Sequence, residues 1–188
     1  MIDITYFANK VKLGQHGPPA ARPSKPSPGR PATASDFPVT FRGVVYPWHL
    51  DHMDHLNVQH YVGMFDQASW VLLAWLGLDG QYFAENQRGM AALEQTISYK
   101  TELRAGDMFE IRSAIVEVGQ KTIRLLHNMH KVNGDVLAAT TNILAVHMNT
   151  DARKSVPLPA GLRGRAIAWT SSATGNREEE LLCARVGL

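Results

Sequence analysis

The chain holds 188 residues, 45% of them hydrophobic and 8% aromatic, which suits one domain with a real core plus tails. A net charge of +2 is too small to argue for a nucleic-acid partner. The single cysteine, Cys183, excludes an intramolecular disulfide framework and a cysteine-rich zinc site, and no apolar run approaches the roughly 18 residues of a membrane span.

Residues 1–36 read as an arm. Residues 4–35 contain no acid and several basic residues, the balance of a transit peptide. Yet six of the ten prolines fall between Pro18 and Pro31 and spoil the amphipathic helix such a peptide needs. The stretch 17–35 is low in complexity and buries too little apolar area to fold. A disordered, cytoplasmic, Pro-rich arm is expected.

From Phe37 the pattern changes. Val39 and Phe41 alternate with polar residues, and Gly43 marks an expected bulge before Val44, Val45 and Tyr46, giving a first strand. Tyr61, Phe65, Ala68, Leu72 and Trp75 then recur at helical spacing over 58–76. Asn57 is the expected N-cap, and Gly77 or Gly80 the stop. Met64, Val71 and Ala74 widen the apolar surface well beyond one stripe, so this helix should be enclosed.

Four strand-like runs follow. The first covers 90–103. Phe109, Ile111 and Ile115 alternate in the second, and Ile123, Leu125 and Met129 in the third. Asn133-Gly134-Asp135 is a hairpin signal, and 136–148 is the fourth. Short turns dictate antiparallel neighbours. The expected fold is therefore α+β: one antiparallel sheet of about five strands curved around a long helix, closing at Pro157 and Pro159 to give a domain over 37–160. The tail, 161–188, shows a short apolar patch at Ala166, Ile167, Ala168 and Trp169, and a short helix starting near Glu178.

Between strand and helix lies the most polar stretch of the domain, with Asp51, Asp54, Asn57 and the histidines at 49, 52, 55 and 60. Several imidazoles near two carboxylates are of metal-ligand type. Their spacing, however, matches no ligand pair on a defined helix, and no metal is expected.

The order of elements resembles the hotdog fold, and the loop is similar to that of its 4-hydroxybenzoyl-CoA thioesterase-like branch. The matching residues are Asp51, His55, Asn57 and Tyr61, followed by Phe65 and Asp66. Val146 through Arg153 and Lys154 to Pro157, Leu158 and Pro159 matches the end of the fourth strand, so the likeness covers about 38–160. Asp54 stands where the branch has glycine. It adds a second carboxylate near Asp51, and neighbouring carboxylates can raise one another's pKa.

The resemblance implies an acyl-CoA thioesterase. Asp51 would act as nucleophile or as general base for water, His55 as its hydrogen-bonding neighbour and Asn57 as cap and organiser of the loop. The start of the helix would polarise the carbonyl. Tyr61 and Asp66 would meet substrate, Asp66 being the alternative catalytic acid, and Glu94 would reach the site from a neighbouring subunit. Coenzyme A is then part of the substrate, no cofactor is needed, and a homodimer or dimer of dimers is implied. Two other readings stay open: an enoyl-thioester hydratase or dehydratase using Asp51 with His55, and a non-catalytic acyl-CoA-binding domain.

Overall fold

The computed structural model describes residues 37–170. Within them, β1 (Val39–Val44) leads through a single 3-10 turn at Pro47–His49 to α1 (Val58–Trp75) and α2 (Gly80–Asn86). Then come β2 (Arg88–Tyr99), β3 (Met108–Val118), β4 (Thr122–Lys131), β5 (Val136–Asn149), the two-residue β6 (Lys154–Ser155) and α3 (Ala160–Thr170). The sheet runs β1-β3-β4-β5-β2, with β6 beside β5 and every pairing antiparallel.

Strand alternation decides what the sheet presents to α1. Phe109, Ile111 and Ile115 of β3 and Ile123, Leu125 and Met129 of β4 are all buried. From the helix, Tyr61, Phe65, Ala68, Leu72 and Leu73 are buried against them. Each large side chain so enclosed contributes about 1.5–3 kcal/mol. The core divides along the helix. Its first half packs with Phe109, Ile111 and Met129, and its second half with Ile115, Ile123 and Leu125.

Gly77, at φ 87, ends α1 in a Schellman motif. The Leu78 amide donates to Leu73 O at 3.0 Å and the Gly77 amide to Ala74 O at 2.8 Å. A further carbonyl, Leu76 O, accepts two hydrogen bonds from the Arg165 guanidinium of α3, at 3.0 and 2.8 Å.

Three features differ from expectation. The folded unit continues past residue 160, because α3 buries Leu162 and Ala166 in the second half of the core and packs against β3. The bulge on β1 falls at Thr40, between Val39 and Phe41. Gly43 is required for another reason: a Cβ there would sit 2.7 Å from the Phe109 ring. Finally, β2 leaves the sheet at Tyr99, before the expected 103. The amides of Lys100 and Thr101 both donate to Ala138 O, and Leu103 O is then free to accept the Leu56 amide at 2.7 Å. That bond ties the chain after β2 to the polar loop. The N-terminal arm, Cys183 and the helix expected near Glu178 lie outside the described residues.

Candidate active site

The polar loop is a small hairpin built by its own backbone. Asn57 N–H donates to His49 O at 2.9 Å, Leu50 bridges Leu56, and Asp51 N–H donates to His55 O at 3.0 Å. Buried Val45 and Leu56 pin both ends to the core. The tight turn survives the missing glycine: Asp54 takes φ 60, its amide donating to Asp51 O at 3.2 Å. Left-handed backbone costs a non-glycine residue roughly 1–2 kcal/mol, less for Asp than for most.

Asp51 and His55 come together on this frame. Asp51 Oδ1 accepts the Met53 amide at 2.8 Å and lies 3.7 Å from His55 Nδ1, while His55 Nε2 lies 3.6 Å from Glu102 Oε1. Both side chains keep about a fifth to a quarter of their surface open, 20% for Asp51 and 24% for His55. Asn57 caps α1, its Oδ1 accepting the Gln59 amide at 3.1 Å. The positive end of the helix thus begins six residues after Asp51, on the same loop.

The histidines do not converge. The His49 ring faces that of His60 at 4.7 Å, while His55 sits between carboxylates. Among the described residues no three His, Cys, Asp or Glu side chains are grouped to hold a metal ion. Burial, and secondarily His60, lowers the His49 pKa. Geometry agrees with a neutral ring, since His49 Nδ1 accepts the Tyr46 amide at 3.2 Å and so carries no proton.

The remaining expected residues lie elsewhere. Tyr61 is 4% exposed, edge-on to Tyr99 at 5.1 Å. Burial, then Tyr99 and Glu102, push its hydroxyl pKa up to about 12, so it is a neutral core phenol. Asp66 is exposed on α1, nine residues beyond Asn57 and so about 13 Å along the axis. It lines a groove of about 160 Å³ between α1 and the sheet, with Val62, Ser69 and Trp70 from the helix and Met90 and Gln95 from β2. Its Oδ2 accepts the Trp70 indole N–H at 3.2 Å. Glu94 pairs in register with Leu144 after a bulge, while its neighbour Gln95 reaches the groove. Since Leu144 also pairs with Arg124, on the strand face away from Leu125, Glu94 is turned away from α1.

Sequence reasoning missed a buried polar chain behind the groove. His127, fully buried, has Nε2 3.0 Å from Ser69 Oγ and Nδ1 bonded to Ser113 Oγ, which lies 2.6 Å from Thr40 Oγ1. Ser69 donates to Phe65 O at 2.8 Å, so the imidazole donates to Ser69 from Nε2, while the one Ser113 proton is shared between His127 Nδ1 and Thr40 Oγ1, whose own hydroxyl donates to Ile111 O at 3.2 Å. Burial, the one cause that lowers the imidazole pKa to about 3, keeps the ring neutral. The signal was present as a break in alternation, since Ser113 and His127 interrupt apolar runs at register-matched positions.

A curved antiparallel sheet around one helix, with an acidic loop feeding that helix, defines the hotdog class of thioester-processing proteins. The model of the thioesterase-like superfamily matches residues 45–166, and the chain belongs to that family. It is 23% identical over 130 residues to a betainyl-CoA thioesterase of Pseudomonas aeruginosa, covering 69% of this chain and 82% of that one. Two solved structures share the fold. A Staphylococcus aureus protein in complex with CoA superposes with TM-score 0.67 at 20% identity, over 72% of this chain and 86% of that one. A 1,4-dihydroxy-2-naphthoyl-CoA thioesterase from Synechocystis gives TM-score 0.61 at 16% identity, over 69% and 95%. The chain is thus a thioesterase-type enzyme, and no described helix is long and apolar enough to cross a membrane.

Proposed function

We propose that the protein hydrolyses an acyl-CoA thioester to free acid and coenzyme A, with Asp51 as the reacting carboxylate. The observation that carries this reading is the loop itself: one short hairpin presents a partly open carboxylate beside an imidazole and runs directly into the capped start of α1. Asp51 attacks the carbonyl carbon or takes a proton from the attacking water. The helix start stabilises the negative charge that develops on the carbonyl oxygen. The Met53 amide holds the carboxylate in place, and His55 stands between Asp51 and Glu102, 3.7 and 3.6 Å from their oxygens.

A second reading has its own support. Asp66 lies in the groove, where Asp51 does not. With Asp66 as the reacting carboxylate, the thioester would lie against the side of α1. Comparing Asp51→Asn with Asp66→Asn for thiol release from acyl-CoAs separates the two.

The same reading places the site between two copies. Val62 and Trp70 are exposed on α1, and β2 is a twelve-residue edge strand with exposed Leu93. Long edges and exposed apolar helix faces are stable once a second copy covers them. Sedimentation of a single species at the monomer mass would contradict a homodimer or dimer of dimers. Among acyl groups, the betainyl group of the Pseudomonas relative is the first to test on this chain.

A further inference from the structure

Immediately before the polar hairpin, the chain displays aromatic rings that the core does not use. Tyr46 and Trp48 stack with centroids 4.6 Å apart and planes 5° from parallel. Both meet the His49 ring edge-on, at 5.7 and 5.9 Å, so the pair is held in place. Trp48 nevertheless remains 71% exposed and Tyr46 46%. A parallel stack covers only the inner faces, which leaves the outer π-faces open to solvent.

The segment that carries them is acidic. From Gly43 to Gln87 the sequence has no Lys or Arg, whereas it has Asp51, Asp54, Asp66, Asp79 and Glu85. The first two belong to the hairpin, which the aromatic turn joins through His49 O and the Asn57 amide at 2.9 Å. Asp54 is exposed at its tip and Asp51 is partly open.

The N-terminal arm has the opposite composition. Residues 4–35 contain no acid, and between Pro18 and Pro31 every basic residue directly precedes a proline: Arg22-Pro23, Lys25-Pro26 and Arg30-Pro31. Proline disfavours helix at the residue before it, so such a sequence favours the polyproline II conformation. At three residues per turn, Arg22 and Lys25 then share one edge and Pro23 and Pro26 the next. Aromatic surfaces take proline rings from segments of this kind, and open π-faces and acids take their cations.

We propose that Tyr46 and Trp48 form a docking surface for the arm of the same chain, over residues 22–31, with its basic edge turned to the acidic hairpin. The contact is independent of thioester chemistry and holds whichever carboxylate reacts. Reach permits it. Pro38 is fixed at the start of β1, its carbonyl accepting the Ser113 amide at 3.0 Å. Tyr46 lies eight residues beyond Pro38, at most about 26 Å away, and Pro28 lies ten residues before it, a span of up to about 33 Å. Charge separates this occupant from a second copy. Two copies meeting face to face on the patch would turn Asp51 and Asp54 of each toward those of the other, whereas the arm brings only cations.

The test uses the full chain labelled with 5-fluorotryptophan, the Trp48 signal being assigned by its loss in Trp48→Phe. Combining Arg22→Glu, Lys25→Glu and Arg30→Glu should shift the Trp48 fluorine toward a solvent-exposed position while Trp70, Trp75 and Trp169 stay unmoved. These three substitutions lie outside the folded unit, so misfolding does not mimic the result. Conversely, Trp48→Ser should speed proteinase K cleavage within residues 18–31 about threefold, because cleavage follows the undocked fraction. A Trp48 signal unmoved by charge reversal, or arm cleavage unchanged in Trp48→Ser, would overturn the proposal. So would a fall in assembly mass in Trp48→Ser, or a charge-reversal shift that vanishes on dilution, since either would make the patch a contact between copies.

Discussion

Asp51 and His55 are joined twice, by a backbone hydrogen bond of 3.0 Å from the Asp51 amide to His55 O and by a side-chain approach of 3.7 Å between Oδ1 and Nδ1. The Met53 amide, donating to Asp51 Oδ1 at 2.8 Å, holds the carboxylate on the same hairpin. Under the proposed reaction, a carboxylate so held would need little reordering on meeting the thioester carbonyl.

The hairpin tip sets the first prediction. Asp54 holds φ 60, where any residue with a Cβ is strained but Asp less than most. Asp54→Ala should be less stable than Asp54→Gly by about 1 kcal/mol, read as the difference in urea midpoint at constant slope. Equal stability would mean that the turn has relaxed into another shape.

His127 sets a pH dependence. Its pKa is lowered from 6.5 to about 3 by burial, so the native state holds it neutral while the unfolded chain takes a proton below 6.5. The stabilisation is therefore full above about pH 6.5 and is lost as pH falls toward 3, at about 1.4 kcal/mol per pH unit. Urea unfolding between pH 7 and 4 should show this slope, and His127→Gln should remove one proton's share of it. A wild-type stability flat over that range would show that His127 titrates freely.

Helix α3 yields a third prediction. Arg165 satisfies a carbonyl at the end of α1 and lies against Gly77, the Cβ position of which is 2.9 Å from its guanidinium. Arg165→Met keeps the packing stem but removes both hydrogen bonds to Leu76 O. The cost should be about 1–3 kcal/mol, read from thermal unfolding. Gly77→Ala should cost at least as much, because it adds left-handed strain to the clash.

The long elements were legible because their burial follows their period. α1 carries apolar residues on a helical face, and β3 and β4 alternate cleanly enough to assign their inward sides. α2 and α3 were not. α2 is seven residues long with Tyr82 and Phe83 only half buried, and α3 intersperses two glycines and two arginines around just two buried positions, Leu162 and Ala166. Its helix is held by contacts with α1 and β3 that lie far away in sequence. The loop motif groups Asp51, His55 and Asn57 in sequence, and the three share one hairpin. It could not show that Tyr61 turns into the core, that Glu94 faces away from α1, or that Asp66 belongs to a groove. Those outcomes depend on a strand bulge and on which side of α1 the sheet covers. The polar chain from Thr40 to Ser69 joins four elements, and no local window contains it.

The most direct measurement is steady-state thiol release from a panel of acyl-CoAs by wild type, Asp51→Asn and Asp66→Asn. With Asp51 as the reacting carboxylate, Asp51→Asn should lose about 10²–10⁴-fold in kcat with KM little changed, while Asp66→Asn keeps most of the rate. Full activity in Asp51→Asn together with loss in Asp66→Asn would contradict the assignment and move the chemistry to the groove.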